Sequence, residues 1–181
     1  MGTPMAPNYA NLFMDRFEND VLNSFREKTG FAPLVWFRYI DDIFFIWTHG
    51  EEALEEFIQH NQNFSTVQKM RSDIRFEVNK STNQVEFLDV KVILDDGSLK
   101  TDLYTKPTDA FLYLNKTSDH PSHVTKNIPK GQFIRIRRIC SEKADYFVNC
   151  EIISSSFIKR SYKQDNRSIR HIDNSEKRRF L

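Results

Sequence analysis

The chain has 181 residues, 39% of them hydrophobic and 13% aromatic, including sixteen Phe; this is enough apolar material for a packed core and excludes a disordered chain. No apolar run is long enough for a membrane span and no secretory signal opens the chain; the only cysteines, Cys140 and Cys150, form no CxxC motif and no disulfide framework, which favours a reducing, intracellular setting. The net charge of +1 hides an asymmetry, with 12 Lys and Arg against 19 Asp and Glu in residues 1–119 (net −7) and 14 against 6 in residues 120–181 (net +8), so a basic surface suited to nucleic acid is expected after an acidic body.

The first residues, Met1 to Pro7, read as the inside of a loop, and the chain is expected to be a piece of a longer reading frame. Residues 8–28 predict an amphipathic helix with Tyr9, Phe13, Phe17 and Val21 at i+4 spacing, Pro7 at its start and Gly30 past its end. Residues 35–47 predict a β-hairpin, with Asp41 and Asp42 at or beside its turn and apolar residues on both faces, so that helices cover at least one. A second helix is expected over 51–60, where Glu51 and Glu52 suit the positive end of the helix dipole. Residues 74–104 predict a β-meander: Ile74 to Val78, Val85 to Leu94 and Leu99 to Thr105.

The character changes after Lys106-Pro107-Thr108, and a domain boundary is expected near Lys106. Beyond it come Ile128-Pro129-Lys130-Gly131, a basic run at Arg135-Ile136-Arg137-Arg138, a helix of about Asp145 to Tyr162, and a charged, frayed end at Lys177-Arg178-Arg179.

Several constellations have two readings. Asp41-Asp42 is ordinary turn chemistry or a carboxylate pair for a hard divalent cation, which takes oxygen ligands and substrate phosphates. Gly2 to Pro7 is a plain helix start or a glycine-bearing loop that lets backbone approach a nucleotide. Lys130, Arg135, Arg137 and Arg138 are a solvated helix face or a row of phosphate contacts; the interleaved Ile134, Ile136 and Ile139 favour a folded helix under either reading. His120 and His123 with the two cysteines have poor spacing for zinc. Tyr9, Phe13 and Phe17 are expected in the core, and Asp89 is left unassigned.

In order, these pieces resemble a reverse transcriptase. Gly2 to Phe13 is similar to the motif that positions template and nucleotide, and Tyr39-Ile40-Asp41-Asp42 to the Tyr/Phe-x-Asp-Asp catalytic hairpin. Glu86-Phe87-Leu88-Asp89-Val90, Tyr104 to Asp109, His120-Pro121-x-His123, Ile128-Pro129-x-Gly131 and Arg135-x-Arg137-Arg138-x-Cys140 resemble the region past the palm in Penelope-like retroelement polymerases.

The resemblance implies an α+β fold: a partial right-hand polymerase palm, an antiparallel sheet with helices, over residues 1–105, then a helical basic thumb or helix-turn-helix-like region over 106–181. It implies RNA-directed DNA synthesis with Mg²⁺ or Mn²⁺, an RNA template, a DNA primer and deoxynucleotides as partners, and no membrane. Asp41 and Asp42 would be catalytic metal ligands; Gly2, Ala6, Pro7 and Tyr39 would shape the nucleotide and template pocket; Lys130, Arg135, Arg137 and Arg138 would hold the nucleic-acid backbone. The hairpin around Phe87 to Val90 would support the primer. The family also uses fingers and a further Asp upstream of the Gly2 loop, so little polymerase activity is expected from this chain by itself. The rival expectation is a nucleic-acid-binding retroelement remnant without catalysis.

Overall fold

The computed structural model of the chain describes residues 4–67, 76–163 and 166–176. Among them the fold is mixed α+β, with five helices and two small antiparallel sheets. It forms two compact units, Met1–Asn79 and Lys80–Leu181. No described helix is long and apolar enough to cross a membrane.

In the first unit, α1 (Ala6–Thr29) begins with a proline in its first turn, where no N–H is needed, and ends at Gly30 (φ 78°), whose N–H donates to the Arg26 carbonyl at 2.8 Å. Its buried stripe is Phe17, Val21 and Phe25, four residues apart. Tyr9, expected in the core, is 72% exposed; the stripe is covered only from Met14 and Phe17 onward, so the i+4 pattern continues past the packed part of the helix. The hairpin of β1 (Val35–Tyr39) and β2 (Asp42–Ile46) follows, with Tyr39 paired to Asp42 and Val35 to Ile46. On β1 the alternation is visible: Trp36 and Arg38 turn inward while Phe37 and Tyr39 face out. α2 (Glu51–Val67) runs past its expected end at residue 60. Its Phe57 is the hub of an aromatic cluster, 5.0 Å from the Trp47 ring, 5.1 Å from Phe25 and 5.6 Å from Phe45. Edge-to-face and offset pairs of this kind add about 0.5–1.5 kcal/mol each beyond burial.

The second unit opens with a three-stranded meander, β3 (Gln84–Phe87), β4 (Val90–Asp95) and β5 (Ser98–Leu103). The segment read as one strand, Val85 to Leu94, is two strands joined by the tight turn Leu88-Asp89. The expected strand Ile74 to Val78 falls partly outside the described residues, and residues 76–78 form no strand. Three helices follow: α3 (Ser122–Ile139), α4 (Lys143–Lys159) and α5 (Asn166–Glu176). α3 starts before Pro129 and carries that proline inside it. α5 was not foreseen, and the expected frayed end at 177–179 lies outside the described residues.

The meander packs with these helices, and the compact units divide at Asn79/Lys80. Specific bonds tie β5 to the α3–α4 turn: the Ser141 N–H donates to the Thr101 carbonyl at 2.8 Å, the Thr101 hydroxyl to the Ile139 carbonyl at 2.6 Å, and Asn149 Nδ2 to Asp102 Oδ1 at 2.7 Å. One core joins Leu103 of β5 to Phe133 and Ile136 of α3, Tyr146, Cys150, Ile153 and Phe157 of α4, and Ile169 and Ile172 of α5.

Candidate nucleic-acid interface and candidate metal pair

The hairpin tip is a two-residue loop, Ile40-Asp41. Ile40 has φ 56° and Asp41 a negative φ. Hairpins normally place glycine at such a first loop position, and a β-branched residue there is an outlier that costs on the order of 1–2 kcal/mol. Strained residues of this kind persist where the surroundings hold them, and they concentrate at functional sites. Asp41 and Asp42 are both exposed, and among the described residues neither carboxylate makes a hydrogen bond or ion pair. Tyr39 is 57% exposed beside them. Ala6 and Pro7 lie exposed in the first turn of α1; Gly2 is outside the described residues.

The second unit repeats the device. Leu88 (φ 55°) and Asp89 form a two-residue loop between Phe87 and Val90, again aromatic, aliphatic in the left-handed region, then Asp. There the acid is neutralised: Arg135 Nη2 lies 2.5 Å from Asp89 Oδ2. A pocket of about 250 Å³ opens beside this pair, lined also by Tyr104, Lys106, Asp109 and Tyr113, so three strings far apart in sequence converge on one place. Burial pushes the Tyr113 hydroxyl upward, with Asp109 adding to the shift and Arg135 opposing it.

The basic run does not share one helix face. At 100° per residue, Arg137 is 200° around α3 from Arg135. Arg135 is taken by Asp89; Arg137 Nε contacts Asp173 Oδ1 at 3.1 Å, its Nη1 donates to the Cys140 carbonyl at 3.0 Å, and its guanidinium lies over the Tyr146 ring. Asp173 is 2% exposed and takes a second cation, Lys143, at 2.9 Å. Arg137 thus braces α3 against α5. Lys130 and Arg138 are exposed.

The expected charge reappears on α5, where the sequence reading did not look. Ile169, Ile172 and Asp173 face the core, while Asn166, Arg167, Arg170 and His171 are exposed. Arg167, Arg170 and His171 stand at i, i+3 and i+4, and so share a face. By contrast, the outer stripe of α4 is Ala144, Val148, Glu151, Ile152, Ser155, Ile158 and Lys159, mostly apolar with a single cation in its last turn. The signal for α5 was Ile169 and Ile172 three residues apart within a basic stretch.

Helices α3 and α4 meet across a three-residue turn, Cys140-Ser141-Glu142, a length typical of helix-turn-helix connections. Residues 112–173, which hold these helices and most of α5, match the family model of the animal helix-turn-helix domain. No curated protein and no solved structure matches the chain. A helix-turn-helix region of this class points to nucleic-acid binding. Among the described residues no group of three or more metal-ligating side chains occurs, at His120 and His123 or at Asp41 and Asp42, and His120 Nδ1 is 2.7 Å from the Ser118 hydroxyl.

Proposed function

We propose that the chain carries the later palm motifs and the thumb-like region of a reverse transcriptase of the Penelope-like kind. In this reading Asp41 and Asp42 hold Mg²⁺ or Mn²⁺, and the helices of residues 106–181 hold an RNA template paired to a DNA primer. The observation that carries it is the contrast between two like turns. All three acids are exposed, but Asp89 is paired with Arg135, whereas the adjacent Asp41 and Asp42 stand on a strained turn with no described partner. Two unpaired, adjacent carboxylates fit a hard cation that keeps open positions for substrate phosphates. The ion would supply charge neutralisation at the transferring phosphoryl group. The chain's own part is to hold the acids, with Ala6, Pro7, Tyr39 and Gly2 placed in the proposal around nucleotide and template.

On the nucleic-acid side, α5 is the better groove-facing helix. Arg pairs bidentately with guanine and Asn with adenine in the major groove, and helix-turn-helix proteins present the N-terminal residues of one helix there; α5 begins Asn166-Arg167. Lys130 and Arg138 then serve as phosphate contacts, and Arg135 and Arg137, held by acids, position the helices. The test is binding of an RNA–DNA primer–template with and without Mg²⁺ and deoxynucleotide, in the wild type and in an Asp41→Asn/Asp42→Asn variant. Binding that ignores metal and both acids would favour the second reading, a nucleic-acid-binding chain without catalysis; the helix-turn-helix match bears on nucleic-acid binding alone and favours neither reading.

A further inference from the structure

Arg38 sits on the inward face of β1, two residues before the strained turn. Its guanidinium makes four contacts. Nη1 donates to the Ile40 carbonyl at 3.0 Å and to Asn11 Oδ1 at 3.0 Å, Nη2 to the Asn11 carbonyl at 3.4 Å, and Nε lies 2.7 Å from Glu18 Oε1. The Arg38 and Glu18 side chains are only 13% and 12% exposed. One planar fork therefore ties the turn to two points of α1, seven residues apart. Asn11 stands one turn beyond Pro7, at the start of the same helix.

The bonded carbonyl belongs to the residue with φ 56°. Its orientation sets the plane of the Ile40–Asp41 peptide, and so the direction in which Asp41 leaves the turn. An isolated two-residue loop with isoleucine in the left-handed region would relax; the Arg38 bond opposes this. Lysine cannot substitute, because an ammonium has no fixed planar array of donors.

We infer that Arg38 is the positioning residue of the Asp41-Asp42 pair: it holds the Ile40 carbonyl, fixes the aim of the two carboxylates, and couples them to the first turns of α1 through Asn11. The inference rests on the metal-binding role proposed for these acids. It assigns Arg38 no contact with metal or substrate.

The test uses the full chain and Mn²⁺ alone, followed by electron paramagnetic resonance, with amide NMR shifts of Ile40 to Asp42 recorded in parallel. Outer-shell partners of metal ligands typically govern about 10–100-fold in affinity. Arg38→Ala and Arg38→Lys should each weaken Mn²⁺ binding at least about tenfold and move the Ile40–Asp42 amides. Methylguanidine should partly restore binding to Arg38→Ala. Asn11→Ala, which leaves the Glu18 ion pair intact, should give a smaller loss and keeps the test open if Arg38→Ala fails to fold. A variant set that loses thermal stability yet binds Mn²⁺ like the wild type would make Arg38 structural only and overturn the inference, leaving the metal reading standing. Wild-type binding no better than Asp41→Asn/Asp42→Asn would remove both.

Discussion

Asp173 offers the sharpest test of how the three-helix region is held. It is 2% exposed, with Arg137 Nε at 3.1 Å and Lys143 Nζ at 2.9 Å. Asp173→Asn keeps the volume and removes the charge, leaving Arg137, 12% exposed, beside a neutral amide. Breaking a buried pair by removing one partner costs about 3–5 kcal/mol. Arg137 keeps its bond to the Cys140 carbonyl and its place over Tyr146, which favours the low end. Lys143 is half exposed and regains water, so its share is below about 1 kcal/mol. The expected loss is thus about 3 kcal/mol. Trp36 and Trp47 both lie in the first unit and do not report it, but the only two cysteines, Cys140 and Cys150, are buried in the second unit's core. Burial pushes these thiols up to about 11 and about 12, so in the folded state they are nearly free of reactive thiolate. Thiol labelling at pH 8 therefore reads opening of this unit. At tenfold per 1.4 kcal/mol, Asp173→Asn should speed labelling about 100-fold. Arg137→Met/Asp173→Leu, which removes both charges, should label close to the wild-type rate. A change below about fivefold for Asp173→Asn, equivalent to about 1 kcal/mol, would refute the bracing role.

Arg167→Ala/Arg170→Ala should weaken duplex binding and reduce the slope of log K against log salt by about 2 if both contact phosphate; if they read bases, affinity for one sequence falls and the slope stays. An unchanged affinity and slope would remove α5 from the interface. Ile40→Gly should raise stability by about 1 kcal/mol through relief of the left-handed strain, read by urea unfolding with Trp fluorescence; a loss would show that Ile40 is not strained. His60 is lowered from 6.5, chiefly by burial and then by Lys28. Folding therefore favours its neutral form, and stability of the first unit is intact above pH 6.5 and lost as pH falls through the lowered value. Glu18 is raised from 4.5 by burial, against the pull of Arg38, so its contribution has the opposite sign: present below 4.5 and lost as pH rises through the raised value. His60→Gln should flatten the fall in urea midpoint between pH 7 and 5, and an unchanged slope would contradict the assignment.

The hairpin was legible because strand-forming residues flank two acids, and a turn at or beside them keeps both carboxylates in water. Its strain was not, since nothing local marks Ile40 for φ 56°; the Arg38 bond that opposes relaxation depends on Asn11 and Glu18 on another element. The basic run misled for a similar reason. Charges at 135, 137 and 138 look like one patch in a line of text, yet the helical step spreads them, and acids 46 residues upstream and 36 downstream claim two of them. α5 was missed because its buried side, among the described side chains, holds two isoleucines and an aspartate, and an aspartate reads as solvent-facing until Arg137 and Lys143 are brought to it. The meander's strands were partly legible, but their attachment to α3 and α4 runs through Thr101, Ser141 and Asn149, whose pairing has no sequence signature.

Fluorescence anisotropy of an RNA–DNA primer–template with the full chain, titrated at several salt concentrations with and without Mg²⁺ and a deoxynucleotide, tests the central proposal most directly. The account predicts salt-sensitive binding that tightens when Mg²⁺ and nucleotide are added together, with that increment lost in Asp41→Asn/Asp42→Asn and the binding weakened in Arg167→Ala/Arg170→Ala. Equal binding with and without metal and nucleotide, unchanged by both pairs of substitutions, would contradict it.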